Sequence, residues 1–199
     1  LLTVLQLARH LGLKEVMVGD VSLRDGLLAE LAMDEAWSRE LRDQVVHSAV
    51  ELGKRYDFEQ AHAEHVARLA GDLFEAMRDE HQLSARYGLI LQVAALLHDI
   101  GSFISNRSHH KHSMYLIRHS DLFGLGSRDI HVASQVARYH RRALPQASHA
   151  EYQALDRKRR IAVSKLAAIL RVADALDRGH AQRIRSLKIR KTRGALVLT

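Results

Sequence analysis

From residue 34 to about residue 182 the apolar residues recur every three or four positions, the spacing of amphipathic helices. One proline and 11 glycines in 199 residues leave little material for turns. Such a chain is neither a turn-rich all-β protein nor a disordered one. Leu41, Val45, Ala49 and Leu52 share one face of a first helix, with Asp34 or Ser38 as its cap. A second helix, from about Phe58 to Asp79, carries His62, Val66, Leu69, Leu73 and Met77 on one face. Ser84 caps a more uniformly apolar helix, Leu89 to His98, which belongs in the core. A short helix follows HHKHS, and Ser127 caps another through Ile130, Ala133, Ala137 and His140. After a linker over 143–156, which holds Pro145, the last long helix runs from about Arg157 to Gln182. The fold expected is mainly α, a helical bundle.

The two ends differ in character. Residues 1–13 read as the end of a helix, 14–20 (KEVMVGD) as a buried parallel strand, and 22–33 as a helix. A lone α-β-α piece cannot bury both faces of its strand, so it reads as the tail of a larger α/β domain. At the other end, SLKIRK and ALVLT alternate about Thr192, Arg193 and Gly194, a β-hairpin signal. Two strands alone are marginal, so the hairpin reads as a truncated start of a small β-containing domain. The expected division is 1–33, 34–182 and 183–199.

Composition narrows the chemistry. Apolar residues make up 47%, enough for a core. The most apolar stretch, Leu89 to Leu97, is far shorter than the roughly 18 residues of a membrane span. The N-terminus has no signal-peptide pattern, and a cytoplasmic location is expected. Without cysteine, disulfides and thiolate metal sites are excluded. The net charge of +7 suggests a polyanionic partner, and 14 histidines raise the question of metal.

His98-Asp99 closes the apolar run QVAALLHDIG, where a carboxylate and an imidazole are costly unless paired or bound to metal. His62 lies on the stripe of Val66 and Leu69, and Asp174 follows Leu166 and Leu170 at helical spacing. Singly, His62 reads as a hydrogen-bonded core residue and Asp174 as a cap or an arginine's partner. Together, His62, His98, Asp99 and Asp174 occupy inward positions on three helices, which favours one shared centre. Imidazole and carboxylate ligands suit a divalent ion, with Mg, Mn, Fe, Ni or Zn all admissible.

The order His62 … His98-Asp99 … Asp174 on a helical scaffold resembles the HD superfamily of metal-dependent phosphohydrolases. The local sequences LLHDIG, HHKHSMYLIRHSDL, VARYHRR and LRVADALDR resemble the C-terminal region of the Ppx/GppA family of exopolyphosphatases and guanosine pentaphosphatases. LGLKEVMVGDVSLRDGLLAE is similar to the closing strand and helix of that family's actin-like domain, with Ser22 where the family tends to have glycine.

The resemblance implies an HD-type bundle flanked by the end of an actin-like domain. It implies His98 and Asp99 as catalytic residues and His62, His98, Asp99 and Asp174 as metal ligands. His112 and His140 are candidates for a second ion, and His109 and His110 are alternatives to them or solvent-exposed. The implied chemistry is metal-assisted hydrolysis with Asp99 bridging two ions, and Lys111, Arg138, Arg141, Arg142 and Arg171 are candidates to neutralise the phosphate. The glycine-rich phosphate loops of the actin-like domain are not in this chain, and the family's exopolyphosphatase chemistry resides there.

Basic residues cluster at Arg138, Arg141 and Arg142, at Lys158 to Arg160, and from Arg183 to Arg193. The last run has no aromatic residue to stack on bases, which suits polyphosphate better than nucleic acid. The expected function is thus the HD-type domain of an exopolyphosphatase-like hydrolase that binds divalent metal and polyphosphate or a phosphorylated nucleotide, as a homodimer. The alternatives are an independent HD phosphohydrolase on a nucleotide and a non-catalytic polyphosphate-binding or dimerisation module.

Overall fold

The structure is a computed structural model and describes residues 2–13, 39–141, 143–185, 187–192 and 195–198. Contacts divide the chain into two units, Leu1–Asp34 and Glu35–Thr199. The described part of the first is helix α1 (Leu2–His10), which ends in a turn where Gly12 takes φ +65°. The expected strand 14–20 and helix 22–33 lie outside the described residues, as do the caps Asp34 and Ser38.

The second unit is helical. Its order is α2 (Arg39–Arg55), α3 (Gln60–Ala76), α4 (Arg78–His81), α5 (Ala85–Leu97), a 3-10 turn (Ile100–Phe103), α6 (His109–Arg118), α7 (Ser127–Arg138), α8 (Ala150–Gln153) and α9 (Arg157–Leu176). Strands β1 (Ile189–Thr192) and β2 (Ala195–Leu198) close it as an antiparallel hairpin, with Ile189 opposite Leu198 and Thr192 opposite Ala195.

Helix α5 is apolar all round and takes the centre of the unit. Its residues from Leu89 to Leu97 are buried except Gln92, and α2, α3, α7 and α9 pack against it. The apolar faces of α3, α7 and α9 supply Val66, Leu69, Val136, Leu166 and Leu170 to the same core. At the start of α5, Arg86 holds Asp129 of α7 with two contacts, Nη2–Oδ2 at 2.6 Å and Nε–Oδ1 at 3.3 Å. This fork fixes the relative slide of the two helices.

Several boundaries differ from the sequence reading. Helix α3 stops at Ala76, and Met77 leaves helical geometry before the short α4. Gly126, not Ser127, stands at the cap of α7, and Ser84 precedes α5 without a capping hydrogen bond. The linker over 143–156 holds the short helix α8. Helix α9 starts where Asp156 accepts the Arg159 backbone N–H at 2.8 Å. It ends at Leu176 rather than Gln182, because Asp177 leaves the helix and His180 and Gln182 take left-handed φ of 51° and 47°. The lead-in to the hairpin is tied to α3, since Arg68 donates to the carbonyls of Arg185 (2.8 Å) and Ile184 (3.3 Å).

Candidate metal centre

Five element ends meet at one place. His62 stands in the first turn of α3, His98 and Asp99 follow α5, His109 opens α6, His140 follows α7, and Asp174 and Asp177 close α9. The core helices α3, α5, α7 and α9 thus each deliver a polar residue at one end to the same point.

The distances there are those of ligands around shared ions. Asp174 Oδ1 lies 3.7 Å from His62 Nε2 and 3.6 Å from His98 Nε2. Asp99 divides its two oxygens. Oδ2 faces His98 Nε2 at 3.5 Å, while Oδ1 faces His109 Nε2 at 3.1 Å and His140 Nε2 at 3.4 Å. Donor atoms held at about 2.0–2.2 Å around one ion sit roughly 3–3.6 Å apart, so these spacings match the edges of a coordination shell. Two triads, His62-His98-Asp174 and His98-Asp99-His140, each gather their ligand atoms within 4.8 Å of one another.

The imidazoles are oriented for this. His98 Nδ1–H donates to the Ala95 carbonyl at 2.7 Å, His140 Nδ1–H to Ala137 at 2.6 Å, and His109 Nδ1–H to Asn106 at 3.1 Å. His62 Nδ1–H donates to the Asp177 carboxylate at 2.9 Å. With the proton fixed on Nδ1, each Nε2 presents a lone pair to the centre, the arrangement that outer partners impose on metal-ligating histidines. His81 shows the contrast. It is buried too, but donates through Nε2 to the Phe74 carbonyl (2.7 Å) and accepts the Leu83 N–H at Nδ1 (2.9 Å), which uses both nitrogens inside the protein.

Among the described residues, the buried side-chain atoms without a hydrogen-bond partner are His62 Nε2, His65 Nε2, His98 Nε2, Asp99 Oδ1 and both polar atoms of Gln135. Three of these point into the cluster, where desolvated lone pairs are costly unless a cation or proton meets them. The residues therefore fit a divalent cation. The electrostatics agree. Burial opposes charge on His98, but the Asp99 and Asp174 carboxylates more than offset it and hold its pKa up at about 9. Burial likewise works against ionised Asp99 and Asp174, yet the histidines around them keep both well below the usual carboxylate range. The two carboxylates thus demand positive charge, which a cation meets as well as a proton on His98.

His62, His98, Asp99, His140 and Asp174 of the expected site are brought together. His112 is not among them. Its Cβ faces Gly101, which lies so close to α6 that a side chain there would overlap the His109 carbonyl and the Ser113 amide. His109, one turn earlier, takes the place at Asp99. His110 is partly buried beside His109, and burial, then His140 and His109, push its pKa down to about 4.

The basic candidates also separate. Arg141 and Arg171 line an open cleft of about 550 Å³ beside Asp99, together with Arg178. Arg171 is a brace as well, donating through Nε to the Tyr139 carbonyl at 2.8 Å and through Nη2 to Ala143, on either side of His140 and Arg141. Lys111 is exposed and Arg138 lays its guanidinium over the Tyr139 ring; neither lines that cleft, and Arg142 lies outside the described residues.

The sequence reading missed Asp177, Arg178 and His180. His180 stacks on the His62 ring with centroids 3.7 Å apart and an interplanar angle of 3°, and its Nδ1 meets Glu59 Oε2 at 2.5 Å. The signal available was Gly179, a helix-stop residue. Asp177→Asn should lower metal affinity roughly 10–100-fold while leaving the helical circular dichroism unchanged, because the amide no longer fixes the His62 proton. Unaltered affinity in a dialysis titration would show that Asp177 only caps α9.

Comparison with known proteins decides the family. A family model described as Ppx/GppA phosphatase, domain III, matches residues 42–196. This chain belongs to the Ppx/GppA phosphatase family. The matched span of this Ppx/GppA chain takes in most of α2, all of α3 to α9 and most of the hairpin. Its relatives include three curated guanosine-5'-triphosphate,3'-diphosphate pyrophosphatases. The one from Vibrio campbellii is 32% identical over 124 residues, 62% of this chain and 24% of the relative. That from Aeromonas hydrophila is 33% identical over 115 residues, 57% and 22%, respectively. That from Pseudoalteromonas translucida is 28% identical over 139 residues, 69% and 27%. The chain thus spans about a quarter of the length of the curated relatives it matches. Among the described residues of this Ppx/GppA chain, no helix is long and apolar enough to cross a membrane.

Proposed function

We propose that this chain carries the metal-binding HD-type domain of an exopolyphosphatase-like hydrolase of phosphoanhydrides, with a polyanionic substrate received beside the metal. His62, His98, Asp99 and Asp174 would hold one divalent cation. Asp99, His109 and His140 would hold a second. The observation that carries this reading is the set of histidines whose Nδ1 protons are committed to carbonyl or carboxylate acceptors, so that their Nε2 atoms face Asp99 and Asp174. A donor set this rich in imidazole favours a first-row transition ion over Mg²⁺.

Divalent cations at such a site supply Lewis-acid polarisation of phosphoryl oxygens and make water a better nucleophile near neutral pH. The chain's own groups do the rest. Asp99 faces both halves of the centre, Oδ2 toward His98 and Oδ1 toward His109 and His140, and would be a ligand to both cations. His98 is fully buried and meets both carboxylates, Asp99 and Asp174, and so anchors the centre. Arg141 and Arg178 present fixed positive charge from the cleft wall to developing charge on the phosphate. Arg171 holds the His140–Arg141 turn in register through the Tyr139 carbonyl.

The test is binding of inorganic tripolyphosphate to the chain at two salt concentrations. Affinity should fall with salt, as for polyanions whose charges are met by Lys and Arg. Joint Arg141→Gln and Arg178→Gln substitution should weaken binding about tenfold or more, since two charge-assisted contacts are lost, and flatten the salt slope. Salt-independent binding, or equal affinity in the double variant, would show that the cleft is not the polyanion site.

A further inference from the structure

His180 lies in the turn that leads from α9 to the hairpin, yet its ring lies flat on that of His62. The centroids are 3.7 Å apart and the planes 3° from parallel. At the edge of the ring, Nδ1–H donates to Glu59 Oε2 at 2.5 Å, a contact that spans 121 residues of sequence. Two cavities open on the metal cluster, the arginine cleft and a second of about 260 Å³ beside Tyr56 and Phe58, and His180 belongs to the walls of both. His62 lines the second cavity and not the cleft, so the His180 imidazole stands between His62 and the cleft.

The backbone is bent to put it there. His180 takes φ 51° and Gln182 φ 47°, left-handed values that a non-glycine residue adopts at a cost. Such residues persist where surrounding contacts over-determine them. Here the His180 N–H donates to the Asp177 carbonyl at 2.8 Å, and the Gln182 side-chain amide donates to the His180 carbonyl at 2.8 Å. Asp177 in turn accepts the Gln182 N–H at 2.7 Å and the His62 Nδ1–H at 2.9 Å. The turn therefore grips His62 twice, with an acceptor at its Nδ1 and a ring on its face. Glu59 serves the same end. It stands at the N-cap of α3, three residues before His62, where a side-chain acceptor ordinarily takes a first-turn N–H. Glu59 makes no such bond and reaches across to His180 instead.

We propose that Glu59 and His180 form a latch that closes the His62 side of the metal centre and slows the escape of a cation held by His62, His98 and Asp174. The proposal rests on the metal-centre reading above and deepens it, because it assigns retention of the ion to two side chains that do not ligate it. A histidine leaves its ion by turning its ring, and water must take the vacated position. The Asp177 acceptor resists that rotation. The His180 ring blocks it and keeps water from one face of His62. Glu59 acts through His180, by holding its ring in plane. Both are positioning residues. Their side chains are partly exposed, 40% for His180 and 55% for Glu59, and such ion pairs add little to fold stability. The latch can therefore open without disturbing the apolar core.

Release of Zn²⁺ from the loaded chain to an excess of chromogenic chelator, followed by stopped flow, reads the latch directly. His180→Ala should release one equivalent about fivefold faster than wild type, the size of one aromatic contact. Any further equivalent, held by Asp99, His109 and His140, should leave at its wild-type rate. Glu59→Ala should also speed release, and the double variant should be no faster than His180→Ala, since both side chains act through one ring. His180→Phe keeps a ring but has no donor for Glu59, so its rate should fall between wild type and His180→Ala. Circular dichroism and urea midpoints should match wild type throughout. Wild-type release from His180→Ala or Glu59→Ala, or additive effects in the double variant, would overturn the latch while the metal centre stood. Failure of the wild-type chain to hold Zn²⁺ would overturn both.

Discussion

Asp99→Ala should empty the domain of divalent metal and leave its helices in place. Asp99 is the residue whose two oxygens face both groups of histidines, Oδ2 toward His98 and Oδ1 toward His109 and His140. Removing it deletes a ligand from each half at once and leaves Asp174 as the one carboxylate facing the His62 and His98 Nε2 atoms. Loss of an outer partner already costs about 10–100-fold in metal affinity, and loss of a bridging ligand should exceed that. The fold should survive, because Asp99 is only half-buried, follows the end of α5 and carries no part of the apolar core. Metal content and far-ultraviolet circular dichroism of the same preparation read the two effects separately. A variant that keeps its metal would remove Asp99 from the ligand set.

Gly101→Ala should be among the most damaging single-methyl changes in the second unit. Gly101 is buried, its N–H donates to Ser113 Oγ at 2.9 Å, and an added Cβ would overlap backbone atoms of α6 at His109 and Ser113. Backbone cannot swing aside as a flexible side chain does, so α6 must shift. Overpacking together with a strained hydrogen bond costs about 2–4 kcal/mol. The same shift carries His109 away from Asp99, so binding of a second metal equivalent should weaken along with stability. Gly71→Ala on α3 is the control: nothing lies within 4 Å of a Cβ there, and a helical glycine replaced by alanine is neutral or gains up to about 1 kcal/mol. Equal urea midpoints for the two variants would show that the contact between the 3-10 turn and α6 is looser than the structure has it.

The parts of the centre that were legible in the sequence are those fixed by helical phase alone. His62 and Asp174 fall in register with Val66, Leu69, Leu166 and Leu170, and burial of those stripes turns the polar residues inward. His98-Asp99 ends a helix with no polar face, so its placement in the interior follows from the composition of α5. The choice between His109 and His112 is of another kind. It depends on where α6 begins, which is set by Ser108 in a left-handed conformation with φ 61° and by the close approach of Gly101. Both are tertiary facts that no local spacing encodes.

Asp177 and His180 were hidden for a similar reason. The expected helix runs on to Gln182, but the Asp177 side chain finds partners outside the helix, the Gln182 N–H at 2.7 Å and His62 Nδ1–H at 2.9 Å, and the helix stops there. Gly179 was the available cue. The cleft-lining arginines were the least legible. Arg141, Arg171 and Arg178 come from two segments and share a wall only after α7 and α9 pack, while Arg138, on the same stretch of sequence as Arg141, turns to the Tyr139 ring.

We propose that His62, His98, Asp99 and Asp174 hold a metal ion. Equilibrium dialysis of the wild-type chain against Mn²⁺, Fe²⁺, Ni²⁺ or Zn²⁺, followed by elemental analysis, tests it most directly when run beside His62→Ala, Asp174→Ala and the control His81→Gln. At least one equivalent of a divalent ion per chain is predicted for wild type and for the His81 variant, with little or none for the other two. Wild-type metal content no higher than that of His62→Ala and Asp174→Ala would contradict it.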